Sequence, residues 1–352
     1  MPTIKKPNQH FDAVLWTGNG PSSQNITSLN FQPDLVWVKN RSSTRKHNIY
    51  DSVRGTTKRL VPNDTVAEDT PGGVTAFNSN GFTVDSEGDV NASTFTFVGW
   101  TWKAGGSTTV NTSGSISSNV SVNTTAGFSV VTYTGTGTTS ATVGHGLGVA
   151  PKLYITKERT ATGTDNSWGV YNTITNQKMF LNATTAGADG TAGGTNGGMT
   201  TDLVTSTTLG IKGGSSSATN INNSGSNYLV YCFAEVEGYS KFGSYTGNGS
   251  ADGPFVYLGF RPKFVMIKQS AGTSAGSGNW MIQDTSRNPF NQEKDILAAN
   301  LTNAEFSDPN YGLDGLSNGF KIRSTNVNWN ESSGTYIYMA FAEAPFKYSS
   351  AR

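Results

Sequence analysis

The sequence predicts an all-β protein of three tandem β-sandwich repeats, jelly-roll in type. Three observations carry this. Gly supplies 42 of 352 residues while only 14% are charged, against roughly 7% Gly and 25% charge in ordinary soluble domains. Short runs rich in Val, Ile and aromatics alternate with Gly, Asn, Ser and Thr turns, which is how strands and their connections read. A set of landmarks also recurs three times in the same order, and self-similarity at a long period decides the architecture before any local feature does.

Taken in chain order, residues 1–10 form a short basic N-terminal arm, in which Lys5, Lys6 and Pro7 are the candidates for docking to a larger particle. The first repeat spans 11–106. It opens with an aromatic and Thr-Gly-x-Gly at Trp16-Thr17-Gly18-Asn19-Gly20, repeated from Tyr133 and from Tyr245. Next comes a proline-led strand, PDLVWVK after Pro33, PKLYITK from Pro151 and PKFVMIK from Pro262. Proline fits there because a missing N–H costs least at a strand start or an edge. The blurred alternation of these runs suits a strand packed on both faces. NIYD, GVYN and MIQD, ending at Asp51, Asn172 and Asp284, form a weaker mark. Each repeat closes on an aromatic strand, VGWTW, YLVYCF and YIYMAF. Pro33, Pro151 and Pro262 are 118 and 111 residues apart.

The Ser/Thr/Asn-rich segment 107–123 reads as a linker, punctuated by Val110, Ile116, Val120 and Val122. The second repeat then spans 124–237, the third 238–346, and 347–352 is the C-terminal tail. The second and third repeats abut directly, and the extra length of the second falls in its Gly/Thr/Ala-rich loop. Only 291–306 has a helical period, so one surface helix is expected there.

The composition excludes several classes. Lys+Arg 25 against Asp+Glu 24 gives no electrostatic basis for nucleic-acid binding. One cysteine, Cys232, allows no internal disulfide. No apolar run reaches the ~18 residues of a membrane span, and the opening MPTIKKPNQH lacks the apolar region of a secretory signal.

The segments FQPDLVWVKNRS with YDSVRG, GFTV, FVGWTWKAGG, GHGLGVAPKLYITKER and AFAEAPFKYSSAR resemble a repeat domain of structural and fibre-like proteins of marine tailed bacteriophages. That domain is similar to the concanavalin A-like lectin/glucanase sandwich. The matching residues are 31–55, 81–106, 144–159 and 336–352, so the resemblance touches all three repeats. It implies a lectin-like fold and a non-enzymatic virion protein, assembled in the bacterial host cytoplasm. The role it implies is that of a tail fibre or receptor-binding attachment protein. A capsid decoration protein (head fibre or cement) is the alternative, and a glycan-degrading tail-associated hydrolase the second. The expected partners are other capsid or tail proteins, copies of the same chain in a homotrimer, and a host-surface glycan, with no nucleic acid, membrane insertion or cofactor. With the first repeat starting at residue 11 and no heptads present, no separate docking or shaft domain is expected.

Motifs for catalysis are weak. Gly272-Thr273-Ser274-Ala275-Gly276 matches G-x-S-x-G, but it lies in a Gly/Ser loop, and no His follows the serine as the nucleophile elbow requires. Cys232 lies in an apolar strand and reads as an inert core thiol. Glu235 and Glu237 share a strand face, yet Glu343 repeats the first of them, which favours a structural role. The catalytic assignment is therefore none. Asp85, Glu87 and Asp89 alternate in a loop and form a weak calcium candidate. For a ligand, Trp329 flanked by Asn328 and Asn330 is the best surface candidate, because it stands in a polar segment with no counterpart in the other repeats. Trp168 and Trp280 align between repeats and read as core.

Overall fold

The computed structural model describes residues 4–160, 166–191, 198–212 and 221–343. Its first third holds β1 (Phe11–Thr17), β2 (Gln24–Ile26), β3 (Leu35–Asn40), β4 (His47–Asp51), β5 (Val74–Asn78), β6 (Gly81–Val84), the single turn α1 (Gly88–Asn91) and β7 (Thr96–Trp102). They pair antiparallel in two sheets, β1-β7-β3-β4 and β2-β6-β5. The middle third holds β8 (Thr109–Asn111), β9 (Ser118–Asn123), β10 (Phe128–Thr134), β11 (Ser140–Gly144), β12 (Leu153–Glu158), β13 (Gly169–Asn172), β14 (Gln177–Phe180), β15 (Ala188–Asp189), β16 (Gly198–Thr200), β17 (Thr208–Lys212) and β18 (Asn227–Phe233). Their sheets run β15-β14-β13-β12-β18-β10-β9-β8 and β11-β17-β16. The last third holds β19 (Ser240–Thr246), β20 (Phe255–Tyr257), β21 (Pro262–Ala271), β22 (Met281–Asp284), β23 (Asp295–Ala298), β24 (Phe306–Ser307), β25 (Leu313–Leu316), β26 (Gly319–Ile322), the turn α2 (Val327–Asn330) and β27 (Thr335–Ala342). Its sheets run β19-β27-β21-β22-β23-β24 and β20-β26-β25.

One order recurs in the larger sheets: opening strand, closing strand, proline-led strand, then the strand of the weaker mark. The proline-led strands β3 and β12 are buried at every position. Their side chains alternate between two cores, so both faces are apolar and no polar alternation survives. Val36 and Val38 point outward, into a core closed by the small sheet β2-β6-β5, while Leu35 and Trp37 point inward. Each larger sheet therefore forms a two-layer sandwich with its own small sheet.

The inward faces of all three larger sheets meet in a single core. Trp102, Phe233 and Phe341, the last inward residues of the three closing strands, lie 6.1, 5.7 and 6.0 Å apart, centroid to centroid. This near-equilateral triangle marks a pseudo-threefold axis. The seams are cyclic as well. His47 shares a hydrogen bond with the Ala298 carbonyl (3.1 Å), and Trp168 and Trp280 donate to the Val61 and Phe180 carbonyls (both 2.8 Å). The first third thus grips the third, the second the first, and the third the second.

Two expectations change. Residues 291–306 hold strands β23 and β24 instead of a surface helix, because Ile296 and Leu297 face opposite cores and β23 pairs with β22. That is strand geometry imposed by neighbours on either side. The 107–123 segment is more than a linker: β9 pairs along β10 from Phe128↔Asn123 to Tyr133↔Ser118, and β8 pairs on β9.

Candidate functional site

Most of the polar residues singled out from the sequence are engaged in holding the fold. Trp329 is fully buried in the outer core of the last third. It does have a counterpart, since α2 repeats α1 and Val90 is likewise buried there. Asn330 is buried and latches the Thr-Gly-x-Gly turn. Its amide donates to Asn248 Oδ1 (2.9 Å), the Ser250 carbonyl (2.6 Å) and the Ser324 carbonyl (2.9 Å), and its carbonyl oxygen accepts from the Asn248 N–H (2.7 Å). Asn91 and Asn222 do the same in the other thirds. Asn328 accepts from the Asn279 N–H at 2.7 Å. The three residues therefore offer no surface to a ligand, because an indole needs an open face to stack on a sugar.

The calcium candidate is likewise spent on internal bonds. Asp85 accepts from the Gly73 and Glu87 N–H groups (both 2.9 Å), Glu87 caps α1 through the Asp89 N–H (2.6 Å), and Asp89 pairs with Arg45 and Arg59. Among the described residues no group of three or more His, Cys, Asp or Glu could hold a metal ion. In the arm, Ile4 belongs to the shared core and Pro7 is buried, so the arm is anchored; Lys5 and Lys6 are exposed. Residues 1–3 lie outside the described residues.

The G-x-S-x-G loop is organised by Glu331, which accepts from the Thr273 hydroxyl and the Ser274 N–H. No helix longer than one 3-10 turn follows the serine. Burial pushes the Cys232 thiol up to about 12, so no thiolate nucleophile is present near neutrality.

Two surface clefts stand out among the described residues. The first, of about 390 Å³, is lined by Ser115, Ile116, Ser117, Asn119, Thr132, Tyr133, Thr134, Thr136, Arg159 and Asn227. It exists because β8 and β9 wall off the outer side of β10 and bring Ser115, Ser117 and Asn119 opposite Thr132, Thr134 and Asn227. Thr134 donates to Asn227 Oδ1 at 3.0 Å. Arg159 forms the one charged wall and is bidentate to Glu68 at 2.8 Å through Nε and Nη2. Burial alone would raise the Glu68 carboxyl, but the hydrogen bonds from Arg159 and Arg54 outweigh it and hold it below its ordinary value. Hydroxyls and amides both donate and accept, so this lining can bind a polyhydroxylated ligand.

The second cleft, of about 240 Å³, is lined by Glu235, Glu237, Gly238, Ser240, Lys241, Tyr257, Leu258 and Gly259. Lys241 Nζ sits 5.3 Å above the Tyr257 ring. Tyr257 and Phe255 are 59% and 46% exposed side by side on β20; Phe290 and Phe306 are exposed as well, in the segment around β23. Glu343, the repeat of Glu235, pairs instead with Arg261 at 2.7 Å.

The sequence reading missed both clefts. Ser115, Ser117 and Asn119 were hidden in a chain where Ser, Thr and Asn are everywhere. Tyr257 did carry a signal. Strand register gives Phe255 and Tyr257 the positions held by Asn25 and Thr27 in the first third and by Thr142 and Gly144 in the second, so the aromatics stand out once the repeats are aligned.

The architecture defines a class: an all-β protein of three two-layer units closed around one core, with its open clefts on the outer surface. The chain belongs to the family described as a domain of unknown function, DUF7483, whose model matches residues 6–345. That single match runs without a break through all three thirds. No curated protein matches the chain. Among the described residues no helix is long and apolar enough to cross a membrane.

Proposed function

We propose that the chain is a bacteriophage virion protein that attaches to a host-surface glycan through the Ser/Thr/Asn-lined cleft beside Arg159. The observation that supports this reading is the lining itself: seven Ser, Thr or Asn side chains around one guanidinium. Such a lining suits the hydroxyls of a neutral or acidic saccharide. The virion context rests on the motif resemblance described above, since fold alone does not give function. One cleft of this kind gives weak binding, and avidity would come from many copies on a particle.

The expected homotrimer acquires a different geometry in this reading. The three large sheets already close their inner faces within one chain, so a trimer would form through outer surfaces. Native mass spectrometry gives the chain count; a single-chain mass overturns the trimer.

Host-surface polysaccharides titrated against the purified protein provide the functional test. Binding lost on Asn119→Ala with Ser117→Ala, at unchanged thermal stability, is expected. No binding to any host glycan overturns attachment, and shortening of the polymer makes the protein a hydrolase instead. In a virion map, density at the tail is expected, and density on the capsid lattice moves the protein to decoration.

A further inference from the structure

Beyond glycan attachment, we propose that the outer edge of β19 from Phe242 to Thr246, with the Tyr257 cleft beside it, is an acceptor for an extended strand of a partner protein. The occupant is a polypeptide segment with β-branched apolar residues at alternate positions and small polar residues between them. The chain itself contains the precedent. β10 is the counterpart of β19, and its outer side is covered by β9, whose sequence is Ser-Asn-Val-Ser-Val-Asn. β19 has β27 on one side and, among the described residues, no strand on the other. At its start Ser240 exchanges backbone hydrogen bonds with Val236, which leaves the outer edge open from the Phe242 carbonyl to Thr246; an open edge is a template for pairing, and strand addition is a common mode of peptide recognition.

The cleft is what β9 fills in the middle third. Register makes Lys241 the counterpart of Ser129, and Tyr257 and Gly259 those of Gly144 and Gly146. There the Ser118 hydroxyl donates to the Gly144 carbonyl at 2.9 Å. A Cβ placed on Gly146 would lie 3.1 Å from a Val120 methyl and 3.3 Å from a Val122 methyl. Side chains of β9 thus occupy the volume that stands open beside Tyr257. The connection before β19 is too short to supply such a strand, because β18 ends at Phe233 and β19 begins at Ser240.

The Phe242 N–H donates to the Glu235 carboxylate at a long 3.4 Å, a weak cap that a partner strand's carbonyl would displace. The exposed aromatics beside it point to a partner instead of a bare edge. Phe255 and Tyr257 are exposed at positions where the other two thirds have Asn25 and Thr27 or Thr142 and Gly144, so the fold does not require aromatics there. On β1, the other uncovered counterpart, the Ser286 hydroxyl already caps the outward Ala13 carbonyl at 2.6 Å.

The test titrates a synthetic peptide of residues 116–123 of this chain into the full-length protein. It follows amide hydrogen exchange and chemical shifts. Saturable binding is expected, with slowed exchange at Phe242 and Ser244 and shifts at Tyr257. Ser244→Pro, which lies on the outward-facing parity of the edge, should abolish binding while β27 pairing persists. Tyr257→Ala should weaken binding at least several-fold and serves if the proline variant does not fold. Lack of binding at millimolar peptide overturns the proposal, as does binding that leaves β19 amides unprotected. A saccharide that shifts Tyr257 and competes with the peptide, without protecting those amides, makes the cleft a glycan site and overturns it too. Loss of glycan binding at the Arg159 cleft bears only on the attachment reading.

Discussion

Three lysines show how single residues tie the thirds together. Lys39, Lys157 and Lys268 end their proline-led strands at equivalent places, and all three are fully buried. Each ammonium donates to a carbonyl of the neighbouring third: Thr302 at 3.1 Å, Thr65 at 3.0 Å and Thr184 at 3.0 Å. Burial pushes each down to about 8, and the carbonyls around it favour the charged form at neutral pH. Lys157→Met removes the donor to the Thr65 and Asn166 carbonyls and should cost roughly 2–4 kcal/mol in denaturant unfolding. His47 makes stability depend on pH. Its Nδ1 accepts from Trp37 Nε1 at 2.9 Å, which leaves Nε2–H to donate to Ala298. A second ring proton would face the Trp37 N–H. Burial, reinforced by the Lys39 charge, already holds the ring's pKa well below 6.5. The folded ring therefore stays neutral while the unfolded ring takes up a proton below about pH 6.5. Stability is full above that value and falls as the pH drops below it, by up to about 1.4 kcal/mol per pH unit from this group. His10 and His145 are lowered by burial with the same sign. Urea midpoints measured from pH 7 to pH 5 should fall, and His47→Gln should flatten the slope.

At the scale of elements, the Thr-Gly-x-Gly turn is the part of the sequence whose meaning is most direct. Its first glycine lies against the chain that leaves the helical turn. A Cβ on Gly18, Gly135 or Gly247 would lie 2.2, 2.3 or 2.2 Å from the carbonyl oxygen of Ala92, Asn223 or Glu331. Only glycine permits that approach, so Gly247→Ala should destabilise by about 1–3 kcal/mol. Asn330→Ala removes the latch on the same turn and strands its buried partners, with a similar expected loss of about 1–3 kcal/mol. Thermal melts of the two variants and their double check this. Because both act on one contact, the double should lose less than the two losses added together. The landmark was legible because a backbone approach selects one residue type. The partner Asn was not, because nothing in a chain rich in Asn distinguishes Asn330 from its neighbours. Trp329 was misread for the same reason: polar flanks suggested surface, while α2 turns the indole inward between two sheets.

For the whole molecule, the shared core predicts one cooperative unit. If any third departs, its member of the Trp102, Phe233 and Phe341 triangle loses both partners and each of the other two loses one. Calorimetry should therefore show a single transition, and residues 11–106 alone should not fold; separate transitions would mean independent domains. The sequence by itself determined the all-β class, the repeated landmarks and the character of the proline-led strands, because strand period, turn chemistry and close backbone approach are local demands that each select particular residues. Only the tertiary structure decided that the larger sheets close on one core and that the 107–123 segment is a strand covering β10. It alone revealed that Asn328, Trp329 and Asn330 are internal and that the clefts lie elsewhere. The physical reason is that an apolar face on a strand states only that it will be buried. Which surface buries it depends on partners a hundred residues away along the chain.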